Sequence, residues 1–252
     1  LCRCSSRPVS VRKGSFVMHT QALKYLNEER MLNIAMSEAV RRGNAEILSA
    51  ERGAVLLREK NSGVYMLYAR DYAPGEALLN LLLERDDVRE LSVTRADLCR
   101  KAEELLGLRL DFEYYHVAYL ENRPPEPAGR LEIRTPSEEL AGVIADHYEY
   151  LNEEQVIAHI RRGHLFGGFL GDKLVGFIGE HPEGSIGILE VLPEFRRHGY
   201  AYDLESFMID RHFNQGKIPF AQIFTDNEKS LSLQRKLGMT QAEQSCFWLA
   251  RR

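Results

Sequence analysis

A mixed α/β fold in two domains is what this sequence predicts, and three observations carry the prediction. The chain has 252 residues with 44% hydrophobic content, more than a single medium domain uses and enough for real cores. Short branched apolar runs alternate with segments of helical period. The stretch Arg123 to Gly129, RPPEPAG, places three prolines in a short polar segment that can sustain neither helix nor ladder. The expected divisions are a first domain over 19–122, a linker over 123–130 and a second domain over 131–252. Residues 1–18 run to Met18 through Arg3, Arg7, Arg12 and Lys13 among serines. They lack an apolar core and are expected to be disordered, and foreign to the native protein or upstream sequence, with a transit peptide the less favoured alternative.

The first domain reads as a helix from Ala22 to Arg42, then strands around Glu46 to Ala50, Ala54 to Glu59 and Val64 to Arg70. A helix follows from Pro74, a residue suited to a first turn, and then a strand from Val88 to Val93. Thr94 is placed to cap a helix over Arg95 to Leu106, which Gly107 ends. An alternating strand from Leu108 to Leu120 completes the domain.

Past the linker, Leu131 to Arg134 reads as a strand, and helices span Ser137 to Tyr150 and Asn152 to Arg162, with Ser137 and Asn152 ahead of paired glutamates as caps. Leu165 to Leu170 and Lys173 to Glu180 form a hairpin over Gly171 and Asp172. Next come a strand from Ile186 to Leu192, a helix from Tyr202 to Phe213, a strand from Phe220 to Thr225, a helix from Lys229 to Leu237 and a last strand from Ala242 to Leu249.

The most informative segment is Ser185 to Ala201, SIGILEVLPEFRRHGYA. A branched apolar strand ends at Pro193, which removes a ladder donor. Arg196, Arg197 and His198 then crowd positive charge beside Gly199, and helical periodicity begins near Ala201. Backbone amides at such a helix start, with no side chain on the glycine to fend off a ligand, suit a phosphate group.

These residues resemble the acetyl-CoA-dependent N-acyltransferases of the GNAT superfamily. Leu189, Val191, Pro193, Arg196, Gly199 and Ala201 match its pattern LxVxPxxR followed by [RQ]xxGx[GA], and Asn227, Ser230, Leu233, Leu237, Gly238 and Met239 match its second motif, NxxSxxLYxxLGF. Within the superfamily the likeness is greatest to the glycine N-acyltransferase-like branch. The resemblance covers Leu131 to Arg252. It implies the GNAT fold, a mixed α/β sheet, in the second domain. The order of elements in the first suggests a second, degenerate copy, because ARDYAPGEALL stands where the phosphate loop belongs.

The resemblance also implies roles. Acetyl-CoA or another acyl-CoA is the expected co-substrate and an amine the acceptor. Cofactor contacts fall on Leu189, Glu190, Val191, Arg196, Arg197, His198, Gly199, Tyr200 and Ala201, with Asn227 and Ser230 either touching the cofactor arm or capping their helix. The cofactor arm pairs with the main chain of Leu189 and Val191, and the Val191 N–H faces the thioester oxygen. The carboxylate base that the family often carries falls on Ser185, which cannot serve. A symmetric turn over His181 to Gly184 sets Glu180 across from Ser185 and makes it the candidate base. Glu190 is the less attractive base, because alternation turns it to the face opposite Leu189 and Val191. Gln234 stands where the family places a tyrosine acid, and glutamine cannot act as one. An N-acetyltransferase and a weak or inactive CoA-binding protein therefore both stay open.

Thirty-three basic against 37 acidic residues, a net charge of −4, favour neither nucleic acid nor an anionic membrane. No apolar run approaches the roughly 20 residues that span a bilayer. Cys2, Cys4, Cys99 and Cys246 are too scattered for a disulfide framework, which points to a reducing, cytoplasmic setting. His159 and His164 lack the further ligands of a zinc site, so no metal is expected. Tyr148 and Tyr150 border the acceptor groove or pack in the core. Whether the chain forms a homodimer stays open.

Overall fold

The computed structural model describes residues 11–251. Its elements in chain order are α1 (Val11–Leu26), α2 (Ile34–Arg41), β1 (Ala45–Glu51), β2 (Ala54–Glu59), β3 (Tyr65–Ala69), α3 (Tyr72–Leu82), β4 (Glu90–Val93), α4 (Ala96–Leu106) and β5 (Arg109–Ala118). There follow β6 (Glu132–Arg134), α5 (Ala141–His147), α6 (Glu153–Arg161), β7 (Leu165–Leu170), β8 (Lys173–Glu180), β9 (Ile186–Val191), α7 (Tyr200–Asn214), β10 (Phe220–Phe224), α8 (Glu228–Leu237), β11 (Thr240–Gln241) and β12 (Cys246–Ala250). Expectations about Cys2 and Cys4 lie outside the described residues. Residues 11–18, set aside on sequence grounds, are helical and open α1.

Two compact units emerge. One runs to Asp111 and takes back the chain from Phe247; the other is Phe112–Cys246. The division thus falls inside β5 and not at the proline segment. Strand β12 completes the first unit's sheet by pairing antiparallel with β4, Phe247 opposite Val93 and Leu249 opposite Leu91.

In the first unit the sheet order is β1, β2, β3, β4, β12. Its core joins Leu56, Tyr65, Leu67, Leu79, Leu91, Leu98, Ala102 and Leu249, all wholly or almost wholly buried. The single helix expected over Ala22 to Arg42 is two, because buried Asn33 turns its side-chain amide back to the Leu26 carbonyl at 3.2 Å and ends the first run. Helix α3 starts before Pro74, at Tyr72. Gly75 is there for packing: a Cβ on it would lie 2.4 Å from Leu98 Cδ1 and 2.9 Å from Ala69 Cβ. Arg95, not Thr94, holds the cap position of α4 and pairs with Asp97 at 2.6 Å.

In the second unit the sheet order is β5, β10, β9, β8, β7, β6, with β11 also on β5. One face packs α7 and α8 through Phe166, Ile178, Ile186, Leu204, Met208, Ile209 and Leu237. The other packs α5 and α6 through Ile144, Val156, Ile160, Phe177, Ile188 and Leu192. The Asn152 cap forms as expected, with Asn152 Oδ1 accepting from the Gln155 N–H and Gln155 Oε1 from the Asn152 N–H, both at 2.9 Å. The segment after Ser137 is only a 3-10 turn leading into short α5, without a side-chain cap bond.

Candidate active site

Strand β9 carries the site, and its geometry follows from an irregularity. Gly179 opposes Gly187 and Phe177 opposes Glu190, so three steps on β9 match two on β8. The extra residue is taken up at Ile188, at φ 51. This is a β-bulge. On its other side β9 runs parallel to β10 and meets it at one register position, Ala221 opposite Ile186. Beyond that point the two strands part, leaving the C-terminal half of β9 with an open edge.

Main-chain direction along that half is fixed by one bond. The Leu192 N–H donates to Val175 O on β8 at 2.9 Å. Alternation then turns the Val191 N–H and C=O away from β8, to the open edge. Both are engaged by side chains of the same segment. Val191 N–H donates to Glu190 Oε1 at 3.1 Å, and Arg196 Nε donates to Val191 O at 3.0 Å. Arg196 Nη2 closes the ring by donating to Glu190 Oε1 at 3.0 Å. Leu189 and Val191 side chains pack toward α7 and α8.

After β9, Pro193–Phe195 form a 3-10 turn and the chain twists into α7. Arg197 at φ 68 and Gly199 at φ 82 make two left-handed steps into the start of α7, whose first residues are Tyr200 and Ala201. Those first-turn N–H groups have no partner within the helix. Arg196 and Arg197 supply charge, and the His198 ring stacks on Tyr200 at 5.6 Å with Nδ1 2.9 Å from Arg196 O.

A residue that sequence reasoning missed braces this loop from the proline segment. Arg130 donates from Nη1 to His198 O at 2.7 Å and from Nε to Asp203 Oδ2 at 3.1 Å. Asp203, buried on α7, also accepts the main-chain N–H groups of Ala128 and Arg130 at 3.0 and 3.3 Å. The proline segment thus ends on the loop that opens α7, a link of some 70 residues in sequence that no local pattern announces.

Glu180 is placed differently from the sequence expectation. His181 N–H donates to Ser185 O, so the loop holds three residues with Gly184 at φ 94, and Glu180 opposes Ile186. Its carboxylate accepts from Lys217 Nζ at 3.1 Å and lies 3.2 Å from His212 Nε2. Burial alone would raise its pKa, but His212 and Lys217 outweigh burial and hold it at about 2. A carboxylate so stabilised is a poor proton acceptor at neutral pH. Glu190, by contrast, lies opposite Phe177 on the α5–α6 face, next to the edge amide.

That face also carries the tyrosines. Tyr148 packs on Phe177 at 6.4 Å and Tyr150 at 5.5 Å, and Tyr150 reaches Phe224 of β10 at 6.5 Å. Burial pushes the Tyr148 hydroxyl up to about 12, against a hydrogen bond from the Ile188 main chain. Tyr150 is 60% exposed. Asn227 behaves as a cap, its side chain accepting the Ser230 N–H at 3.1 Å.

Gln234 is buried and turned into the α7–α8 contact, where Nε2 donates to Glu205 Oε1 at 2.7 Å. Glu205 is 2% exposed, its Oε2 and Gln234 Oε1 have no partner, and burial raises its carboxyl to about 7 against the Gln234 bond. The sequence signal for this pair was a lone glutamate inside the apolar run Leu204 to Ile209.

In the first unit β3 and β4 pair in parallel at Tyr65, Met66 and Leu67. Among the described residues no group of three or more His, Cys, Asp or Glu is arranged to hold a metal, and no helix is long and apolar enough to cross a membrane.

Residues 166–249 match the family model described as FR47-like protein. No curated protein matches the chain. Among solved structures, a Drosophila protein superposes with a TM-score of 0.66 at 17% identity, over 97% of this chain and 98% of that one. A GCN5-related N-acetyltransferase from Kribbella flavida gives 0.54 at 14% identity, over 87% and 95%. Another, from Sphaerobacter thermophilus, gives 0.52 at 15% identity, over 92% of each chain. The fold is that of the GNAT acetyltransferases, and coverage of most of the chain fits two tandem GNAT-like domains.

Proposed function

We propose that this chain is an N-acyltransferase of the glycine N-acyltransferase-like kind, moving an acetyl or other short acyl group from acyl-CoA to a primary amine by direct attack. The observation that carries the reading is the pairing of an open β9 edge, which presents the Val191 N–H and C=O, with a basic amide cradle at the start of α7. The cradle amides with Arg196, Arg197 and His198 take the diphosphate, and the helix dipole adds to the attraction. The cofactor arm lies along β9 as an added strand at Leu189 and Val191. Val191 N–H then meets the thioester oxygen. It is fixed before reaction and strengthens as that oxygen becomes anionic, a contribution of about 10²- to 10³-fold in rate.

The amine nitrogen attacks the carbonyl carbon, the C–N bond forms, and the C–S bond breaks with the electron pair on sulfur. Gln234 supplies no proton to that thiolate. The extra proton on the attacking nitrogen is lost to solvent, and the thiolate leaves as such and is protonated by water. The gap flanked by Tyr150 and Phe224 receives the acceptor. In this reading the first domain is a degenerate copy without a cofactor edge, and the protein works in a reducing, cytoplasmic setting.

Gln234 and the closed β3–β4 pair favour a second reading, a CoA-binding protein without turnover. Incubation with acetyl-CoA and a broad amine panel, following thiol release and thermal protection by CoA, separates the two. Protection with release supports transfer; protection alone supports the binding protein; neither overturns the site.

A further inference from the structure

The ring of bonds on the β9 edge is closed by the protein on itself. Glu190 Oε1 takes the Val191 N–H, Arg196 takes the Val191 carbonyl, and the two side chains meet at 3.0 Å. Both side chains are partly solvent-exposed, Glu190 at 29% and Arg196 at 55%, so neither is locked by packing. The groups engaged are the donor and acceptor that an added strand would need, and Arg196 is the first cation of the phosphate cradle. A diphosphate in the cradle would compete with this carboxylate and with the Val191 carbonyl for the Arg196 guanidinium.

The geometry points to Glu190 as a catalytic base that is masked in the free protein and released by the cofactor: the diphosphate draws Arg196 off the β9 edge, the cofactor arm replaces Glu190 at Val191 N–H, and the freed carboxylate takes the proton of the attacking amine. This inference rests on the reading of β9 and the α7 start as the CoA site.

The placement suits the task. Glu190 neighbours the amide that receives the thioester oxygen, and its Cβ leaves the strand on the α5–α6 face opposite Phe177. Tyr148 packs on that same phenylalanine and Tyr150 on Tyr148. The carboxylate therefore stands between the reacting carbonyl and the aromatic wall. Glu180 lies on the α7 face with its charge held by Lys217 and His212. After C–N bond formation the adduct carries an N–H proton in excess. That proton passes to a Glu190 oxygen and then to water, while the carbonyl re-forms and the thiolate departs, so charge and atoms balance. An ordinary alkylamine arrives protonated at neutral pH and first loses a proton to the same group or to water. Because Glu190 is unmasked only by the cofactor, the acceptor binds second.

The test is Glu190→Gln, read in two ways. Calorimetric titration with CoA should give binding tighter by about two- to fivefold, the effect of removing a competing surface ion pair. Initial rates with acetyl-CoA, corrected for the uncatalysed reaction, should be compared for methylamine and for hydroxylamine, which is already neutral at pH 7. The methylamine rate should fall about 10²-fold or more. The hydroxylamine rate should stay within a few-fold, since a neutral nucleophile has less need of a base. A purely structural role would lower both alike. Unchanged CoA affinity together with an unchanged ratio of the two rates overturns the role of Glu190. If the unsubstituted protein itself binds no CoA, the site reading falls and this inference with it.

Discussion

Glu205→Gln should remove a proton-linked contribution to stability, and its size can be worked from the α7–α8 contact. Burial lifts the Glu205 carboxyl from 4.5 to about 7, and the Gln234 bond only partly offsets it. The folded protein therefore holds a proton that the unfolded chain gives up near 4.5. A group whose folded pKa is raised contributes stability that is fully present below the unfolded value and is lost as pH rises through the folded one. The window here is pH 4.5 to 7. Each tenfold change is worth about 1.4 kcal/mol, so the loss across the window is about 3 kcal/mol, with a steepest slope of about −1.4 kcal/mol per pH unit. A neutral acid also accounts for the two partnerless oxygens, since a proton on Glu205 Oε2 can be donated to Gln234 Oε1 once the two amide-like groups face squarely. Glutamine at 205 offers the same donor and acceptor at every pH. Buried His159, held at about 4 by burial and by nearby His181, acts with the opposite sign in an overlapping window. The difference between the two proteins isolates Glu205. Urea midpoints measured from pH 5 to 8 should show the variant gaining on the parent as pH rises. Parallel curves would refute a protonated Glu205.

Gly199→Val should abolish thermal protection by CoA, because valine strains at φ 82 and its Cβ would sit 2.4 Å from Arg130 Nη1; a melt with and without CoA decides it. Asn152→Ala removes the capping box of α6 and should cost about 1 kcal/mol in a urea titration with no change in CoA affinity. Glu180→Gln should cost about 2 kcal/mol at neutral pH by leaving Lys217 and His212 without their anion. Since the folded carboxyl is held at about 2, its contribution is present above 4.5 and fades as pH falls toward 2. The variant's acid unfolding curve should therefore be flatter than the parent's below pH 4.5.

The loop into α7 was legible because arginine, glycine and helix start follow one another within six residues, and the cap of α6 because Asn152 stands ahead of two glutamates. Everything decided by register or by distant packing was not. A three-residue loop closed by Gly184 moved the partner of Glu180 from Ser185 to Ile186. The bulge at Ile188 and the parting of β9 from β10 arise between strands and leave no mark in either alone. Glu205 meets Gln234, and Arg130 meets Asp203, only once α7 is packed. Proline composition suggested a border at 123–130, whereas the two compact units meet within β5, and pairing with β4 returns β12 to the first.

That return of β12 bears on synthesis. Strand β4 keeps an unfilled ladder on one side, and buried Leu249 is missing from its cluster, until Phe247–Ala250 has left the ribosome. The half translated first is thus the half that waits, exposing a pairing edge through the whole time needed to make the other. Chaperone dependence during expression should track this delay, and a stop placed just after Cys246 should unravel the amino-terminal portion even though its own codons are intact.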